Sequence, residues 1–163
     1  MQLTFLEALA SKKINKGRKI MNTNLEELYR QVIMDHYKNP RNKGLVGNLP
    51  HVHIKNPSCG DDITIEAEVV DGKIKHIHHN GSGCSICCSS ASVLSETLEG
   101  KSVDEAKALI QEFFDMMTGK EDPNEDLEEA LVYQGVSKFP ARIKCATLSW
   151  KALERLLNGE EDD

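Results

Sequence analysis

Three cysteines far apart in the chain constrain its fold more than any other feature. They are Cys59 in Asn56-Pro57-Ser58-Cys59-Gly60-Asp61, Cys84 in Gly83-Cys84-Ser85, and Cys145 in Arg142-Ile143-Lys144-Cys145-Ala146. Thiolates are the soft ligands that zinc and iron-sulfur clusters prefer, and Asp61 offers a carboxylate that completes a set of four. The ligands of a zinc finger come in close pairs from short knuckles. Ligands spaced as widely as these must be gathered by a whole folded domain.

The 163 residues suffice for one such domain, and the apolar and charged fractions are ordinary for a globular protein. Five cysteines is an odd number, and no charged-then-apolar leader is evident, which argues against a secreted disulfide framework. A reducing cytoplasm is the expected location. The net charge of -6 and the absence of a long apolar run make nucleic acid and membrane poor candidate partners. Acidic residues collect between Glu121 and Glu129 and in the tail of residues 159–163, where they are expected to keep the surface solvated.

Residues 1–23 stand apart, with a short apolar start and then the basic run Lys12 to Lys19. They read as a disordered leader, or as sequence upstream of a true start at Met21. One domain is expected over residues 24–158. Asn24 with Glu27 makes a capping-box pattern, and Leu25, Leu28, Tyr29, Val32, Ile33 and His36 then recur at helical spacing until Asn39-Pro40 stops the run.

From His51 to His79 the period changes to two. Ile63, Ile65, Ala67 and Val69 alternate with Thr64, Glu66 and Glu68, and Asp71-Gly72 marks a hairpin turn before Ile74 and Ile77. His51 to Lys55 reads as a third strand. Helices are expected from about Cys84 to Leu98, from a Ser102 cap to about Met117, briefly over Asn124 to Leu131, and from Pro140 to about Leu157. One helix, then strands, then helices predicts an α+β domain, a small antiparallel sheet covered by helices.

On this layout Cys59 and Asp61 flank Gly60 in a tight turn and point to one side. Cys84 falls at a helix start and Cys145 in the first turns of the last helix, where a helix N-terminus favours a thiolate. Arg142 and Lys144 are placed to offset the negative charge of three thiolates and a carboxylate around a divalent cation.

The segments YRQVIMDHYKNPRNKG (residues 29–44), Asn56 to Asp61, Gly83-Cys84-Ser85-Ile86 and GVSKFPARIKCATLSW (residues 135–150) together resemble the SufU branch of the U-type iron-sulfur assembly proteins, relatives of IscU and of the N-terminal part of NifU. The resemblance runs from Asn24 to about Leu157. It implies that Cys59, Asp61, Cys84 and Cys145 match the family's metal ligands, with zinc as the metal. IscU-type proteins carry a histidine just before the third cysteine. This chain has Lys144 there, which leaves Asp61 as the fourth ligand. The resemblance also implies a zinc-dependent sulfurtransferase that takes persulfide sulfur on Cys59 from a pyridoxal-phosphate cysteine desulfurase (SufS-like) and serves downstream cluster assembly. The alternative is a scaffold that builds a transient iron-sulfur cluster on Cys59, Cys84 and Cys145.

Other residues have plainer readings. Cys87 and Cys88 read as small, semi-buried helix residues in preference to a redox pair with Cys84. His76, His78 and His79 read as a solvated strand face, His36 and Tyr37 as packing or capping groups, and Trp150 and Leu153 as core.

Overall fold

The computed structural model describes residues 25–162. The expected leader, the start at Met21, the Asn24 cap and Asp163 lie outside them. Helix α1 (Leu25–Lys38) leads into strands β1 (His51–Asn56), β2 (Asp61–Val70) and β3 (Lys73–Ser82). Helices α2 (Ser85–Leu98) and α3 (Val103–Met117), a run of 3-10 turns over Glu125–Lys138, and α4 (Pro140–Leu157) complete the order. The sheet is antiparallel in the order β1-β2-β3, so the expected α+β architecture is the one observed.

Alternation along the strands decides which face meets the helices. Val52, Ile63, Ile65, Ala67, Ile74 and Ile77 are buried, and α4 packs on β1 and β2 while α2 packs on β3. Each such aliphatic side chain contributes about 1.5–3 kcal/mol by leaving water. Ile74 and Ile77 lie three residues apart, yet both are buried. A register shift explains it: Val69 pairs with Ile74 and Glu68 with His76, which leaves Lys75 as the extra residue of a bulge. Val69, expected inside, stays 43% exposed at the strand end. Asp71 and Gly72 turn the hairpin with φ of 52° and 76°, the positive values that a tight two-residue turn requires.

A stacked and hydrogen-bonded seam ties two of the helices together over this core. Trp150 stacks on Phe113 with centroids 4.0 Å apart and planes 6° from parallel. Its Nε1–H donates to Ser90 Oγ at 2.9 Å, and the Ser90 hydroxyl donates to Ala146 O at 2.6 Å. This locks α2 against α4, the two helices that carry Cys84 and Cys145.

The cap at Ser102 forms as expected, its side chain accepting from Glu105 N–H at 3.1 Å. The region after Asn124 differs from expectation. Turns continue to Lys138 rather than stopping near Leu131, with a break at Glu128, whose φ is 53°. Leu127, Ala130, Leu131 and Tyr133 are buried there, so packing holds a segment whose helical periodicity is weak.

Two acidic regions expected to be merely solvated have specific partners. Glu129 bonds the Nε2 of fully buried His36, whose Nδ1 meets Ser92 Oγ at 2.8 Å. Asp162, in the acidic tail, donates its N–H to His51 O at 2.9 Å and accepts from His53 N–H at 2.6 Å, running along the outer edge of β1. The outer edge of β3 is covered too. Gly44 N–H donates to His79 O at 2.8 Å, and Ile74 N–H donates to Lys101 O at 2.8 Å.

Candidate metal centre

The turn Pro57 to Gly60 joins β1 to β2, and it carries Cys59 at one end of the sheet. Gly60 has φ of 70°, a conformation that glycine adopts without strain, and it reverses the chain so that Asp61 opens β2. Cys59 remains partly exposed, whereas Asp61 is 1% exposed. Cys84 is the N-cap of α2, with φ of -72° and ψ of 165°, and its side chain makes no cap hydrogen bond. Its N–H donates instead to Asp61 Oδ1 at 3.0 Å. Gly83 is required beside this bond: a Cβ there would overlap Asp61 Oδ1 and stand 3.1 Å from Asp61 Cα and Cγ.

Cys145 arrives from the opposite side, in the second turn of α4, fully buried. Its thiol donates weakly to Ala141 O at 3.7 Å, and the Cys59 thiol reaches the same carbonyl at 3.9 Å. One donor atom from each of Cys59, Asp61 and Cys145 lies within 4.8 Å of the others. Cys84 stands beside these three, its N–H on the Asp61 carboxylate, and acts electrostatically on Cys145. Three segments remote in sequence thus meet at the end of the sheet, with Cys59, Asp61 and Cys145 in one group and Cys84 beside it.

The electrostatics of the cluster call for a cation. Burial pushes the Cys145 thiol well above its ordinary value, and Asp61, Cys59 and Cys84 push it further in the same direction. Asp61 Oδ2 is buried with no hydrogen-bond partner, and so is Nδ2 of Asn56, which pairs with Asp61 across β1 and β2. An unpartnered carboxylate oxygen among thiols is costly as it stands. Three sulfurs and one oxygen make a donor set that suits tetrahedral zinc, so these residues fit such an ion.

Arg142 is exposed in the first turn of α4, and its guanidinium is held above its ordinary value by Cys84 first, then by Cys145. That places it beside the cluster. Lys144 is exposed on the helix next to buried Cys145. Cys87 is fully buried, deeper than expected, and Cys88 is partly exposed.

The histidines separate. His76 stands 3.9 Å from Glu99, an acidic neighbour the sequence did not suggest. His79 is 3% exposed, its Nε2 2.7 Å from Arg41 O, so it belongs to the interior rather than to a solvated face. His36, Glu96 and Glu129 form a second group that sequence spacing left invisible. Arg41 also pairs with Glu96 at 3.5 Å and with Asp35 at 2.8 Å, so an internal cation already balances this group.

A family model described as the NifU-like N terminal domain matches residues 28–146, a stretch that includes all four converging side chains. The chain belongs to that family. This NifU-like domain is 50% identical over 141 residues to the zinc-dependent sulfurtransferase SufU of Bacillus subtilis (strain 168), covering 86% of the chain and 96% of that relative. It is 40% identical over 134 residues to the iron-sulfur cluster assembly scaffold protein IscU of Streptococcus pyogenes serotype M1, covering 82% of the chain and 84% of that relative. A crystal structure titled as a putative iron-sulfur cluster assembly scaffold protein for the SUF system, from Fervidobacterium islandicum AW-1, superposes with a TM-score of 0.74 at 34% identity, covering 78% of this chain and 94% of that one.

Proposed function

We propose that this NifU-like domain is a zinc-dependent sulfur acceptor, taking sulfane sulfur from a pyridoxal-phosphate cysteine desulfurase and carrying it toward iron-sulfur cluster assembly. The observation that carries this reading is the convergence of the Cys59 and Cys145 thiols on the buried Asp61 carboxylate, which also accepts from the N–H of Cys84. Cys59, Asp61, Cys84 and Cys145 would hold the ion. A bound zinc keeps its sulfur ligands deprotonated and shields them from oxidation. The kinship with a relative named as a zinc-dependent sulfurtransferase supports the choice of metal.

Cys59 is the acceptor. It is partly exposed in a turn beside Gly60, while Cys145 is fully buried in α4. Its thiolate attacks the outer sulfur of the desulfurase persulfide. A new sulfur-sulfur bond forms on Cys59, the old one breaks, and the desulfurase cysteine leaves as thiolate. Arg142 offsets the anionic charge beside Cys84 and Cys145 during that exchange. The working unit is the domain of residues 24–158, and its free thiols suit a reducing cytoplasm.

A second reading, a scaffold that assembles an iron-sulfur cluster as cargo on Cys59, Cys84 and Cys145, is favoured by the kinship with relatives named as scaffolds. Metal analysis of protein purified with and without air separates the two. Stoichiometric zinc and no visible chromophore supports the acceptor, and a stable brown cluster supports the scaffold. For the acceptor itself, Cys59→Ala protein that folds and loads zinc yet takes persulfide as fast as wild type would refute the assignment.

A further inference from the structure

The open face of the sheet, turned away from the helices, carries two His-x-His pairs that the sulfur chemistry leaves unused. They are His51 and His53 on β1, and His76 and His78 on β3. Side chains two apart on a strand share a face. Val52 and Ile77, the residues between, are buried in the core, so the four histidines stand on the other side. The pair on β1 is already engaged. His51 Nδ1–H donates to Leu49 O at 3.3 Å, and His53 Nε2 bonds the Asp62 carboxylate.

The pair on β3 is open. Among the described residues neither ring makes a hydrogen bond, and the two lie with centroids 6.0 Å apart and planes tilted by 33°. A shared cation requires nearly that spacing. Two metal–nitrogen bonds of about 2.0–2.1 Å, with half a ring beyond each, hold the centroids about 5–6 Å apart. Carboxylates flank the pair. Glu68 lies directly opposite His76 across β2 and β3, a relation that sets the two Cβ atoms about 4.5–5.5 Å apart. At the edge of the sheet, Glu99 Oε1 stands 3.9 Å from His76 Nδ1. A carboxylate there favours the tautomer with its proton on Nδ1, which leaves Nε2 to take a metal. Glu66, opposite His78, is spent on the N–H groups of Val46 and Gly47. His76 is exposed, and His78 and Glu68 are partly exposed, so a hydrated ion can reach them.

We infer that His76, His78 and Glu68 form a second metal site, on the open face of the sheet, for a hydrated divalent ion of the late first transition series. Two imidazole nitrogens and one carboxylate oxygen suit nickel, copper or zinc, with water in the remaining positions. The site is separate from the cysteine centre. Glu68 lies roughly 20 Å along β2 from Asp61, at about 3.3 Å per residue, so neither set of ligands reaches the other's ion. The two sites also differ in kind. One is mainly sulfur, with Asp61 and Cys145 buried, and holds its ion; the other is nitrogen and oxygen, open to water, and exchanges with free metal. Both are occupied at once, and the second stands whether or not the first accepts sulfur.

The test titrates nickel(II) into the full chain, zinc-loaded, desalted and kept anaerobic. Calorimetry, zinc release and amide spectra of isotope-labelled protein are read together. Wild type should bind one nickel ion per chain and release no zinc, and the paramagnetic ion should broaden the amide signals of Glu68, His76 and His78 before any others. His76→Ala and His78→Ala should each weaken binding about tenfold or more, and Glu68→Gln should weaken it less. His53→Ala should leave it unchanged. Nickel that releases zinc, broadening centred on Cys59 or on His51 and His53, or equal affinity in protein lacking both His76 and His78 overturns the proposal. The broadening map and the zinc release are read on wild type, so neither depends on how the variants fold.

Discussion

Replacing Asp61 by asparagine should leave the metal-free protein almost unchanged while removing most of what zinc adds to its stability. In the wild type Oδ1 accepts from Cys84 N–H at 3.0 Å, and Oδ2 is buried without a partner. The amide oxygen of asparagine can still accept from Cys84 N–H, but weakening a charge-assisted bond to a neutral one loses about 1 kcal/mol. Removing a buried charge with an unpartnered oxygen returns about 1–3 kcal/mol of desolvation cost. The two nearly offset, so metal-free stability should shift by no more than about 1 kcal/mol. With zinc the balance differs. At free zinc near 1,000 times the dissociation constant the ion adds about 4.1 kcal/mol, and a hundredfold weaker site would gain only about 1.4 kcal/mol at the same concentration. Urea unfolding in chelator and in buffered zinc, for both proteins, measures all four stabilities. Equal zinc increments would refute the assignment of Asp61 as a ligand, and a large loss in chelator alone would show that the carboxylate serves the fold instead.

Gly83→Ala should cost about 1–3 kcal/mol even without metal, because the new Cβ meets the Asp61 carboxylate at a φ of 154°; urea unfolding in chelator checks it, and wild-type stability would contradict the packing described. Burial lowers the affinity of His79 for a proton below the ordinary 6.5, so on acidification below that value the unfolded chain takes up a proton that the folded chain refuses, and stability falls. His79→Gln should flatten that acid limb in unfolding series across pH, and an unaltered slope would count against the buried site. Glu129→Ala strips Nε2 of buried His36 of its acceptor and should lower stability by about 1–3 kcal/mol in urea unfolding, with zinc stoichiometry unchanged.

The meeting of Cys59, Asp61, Cys84 and Cys145 at one end of the sheet was legible in sequence because each sits in a local signature that dictates its own backbone. Gly60 sets the turn between Cys59 and Asp61, Gly83 clears space for Asp61, and Pro140 begins the helix that delivers Cys145. The strands were legible through alternation until the bulge at Lys75, which no residue type announces and which set Ile74 and Ile77 on one face. The run from Glu125 to Lys138 was misjudged because its order comes from burial of Leu127 and Tyr133, not from propensity. Glu129, Asp162 and His79 were misread as solvated for a related reason. Their partners lie far away in the chain, and charge alone carries no record of what a side chain will face after folding.

The covered edges of the sheet bear on how this molecule behaves in a crowded solution. A three-stranded sheet presents two rows of backbone groups, each a template for another chain. Here residues 42–44 and 100–102 bond along β3, and Asp162 bonds along β1. The last of these guards is also the slightest, a single residue near the end of the described chain. A peptide fused just after it, or a cut that removes it, would uncover the backbone of His51 and His53. Self-association through that strand would then rise without any change at the cysteines.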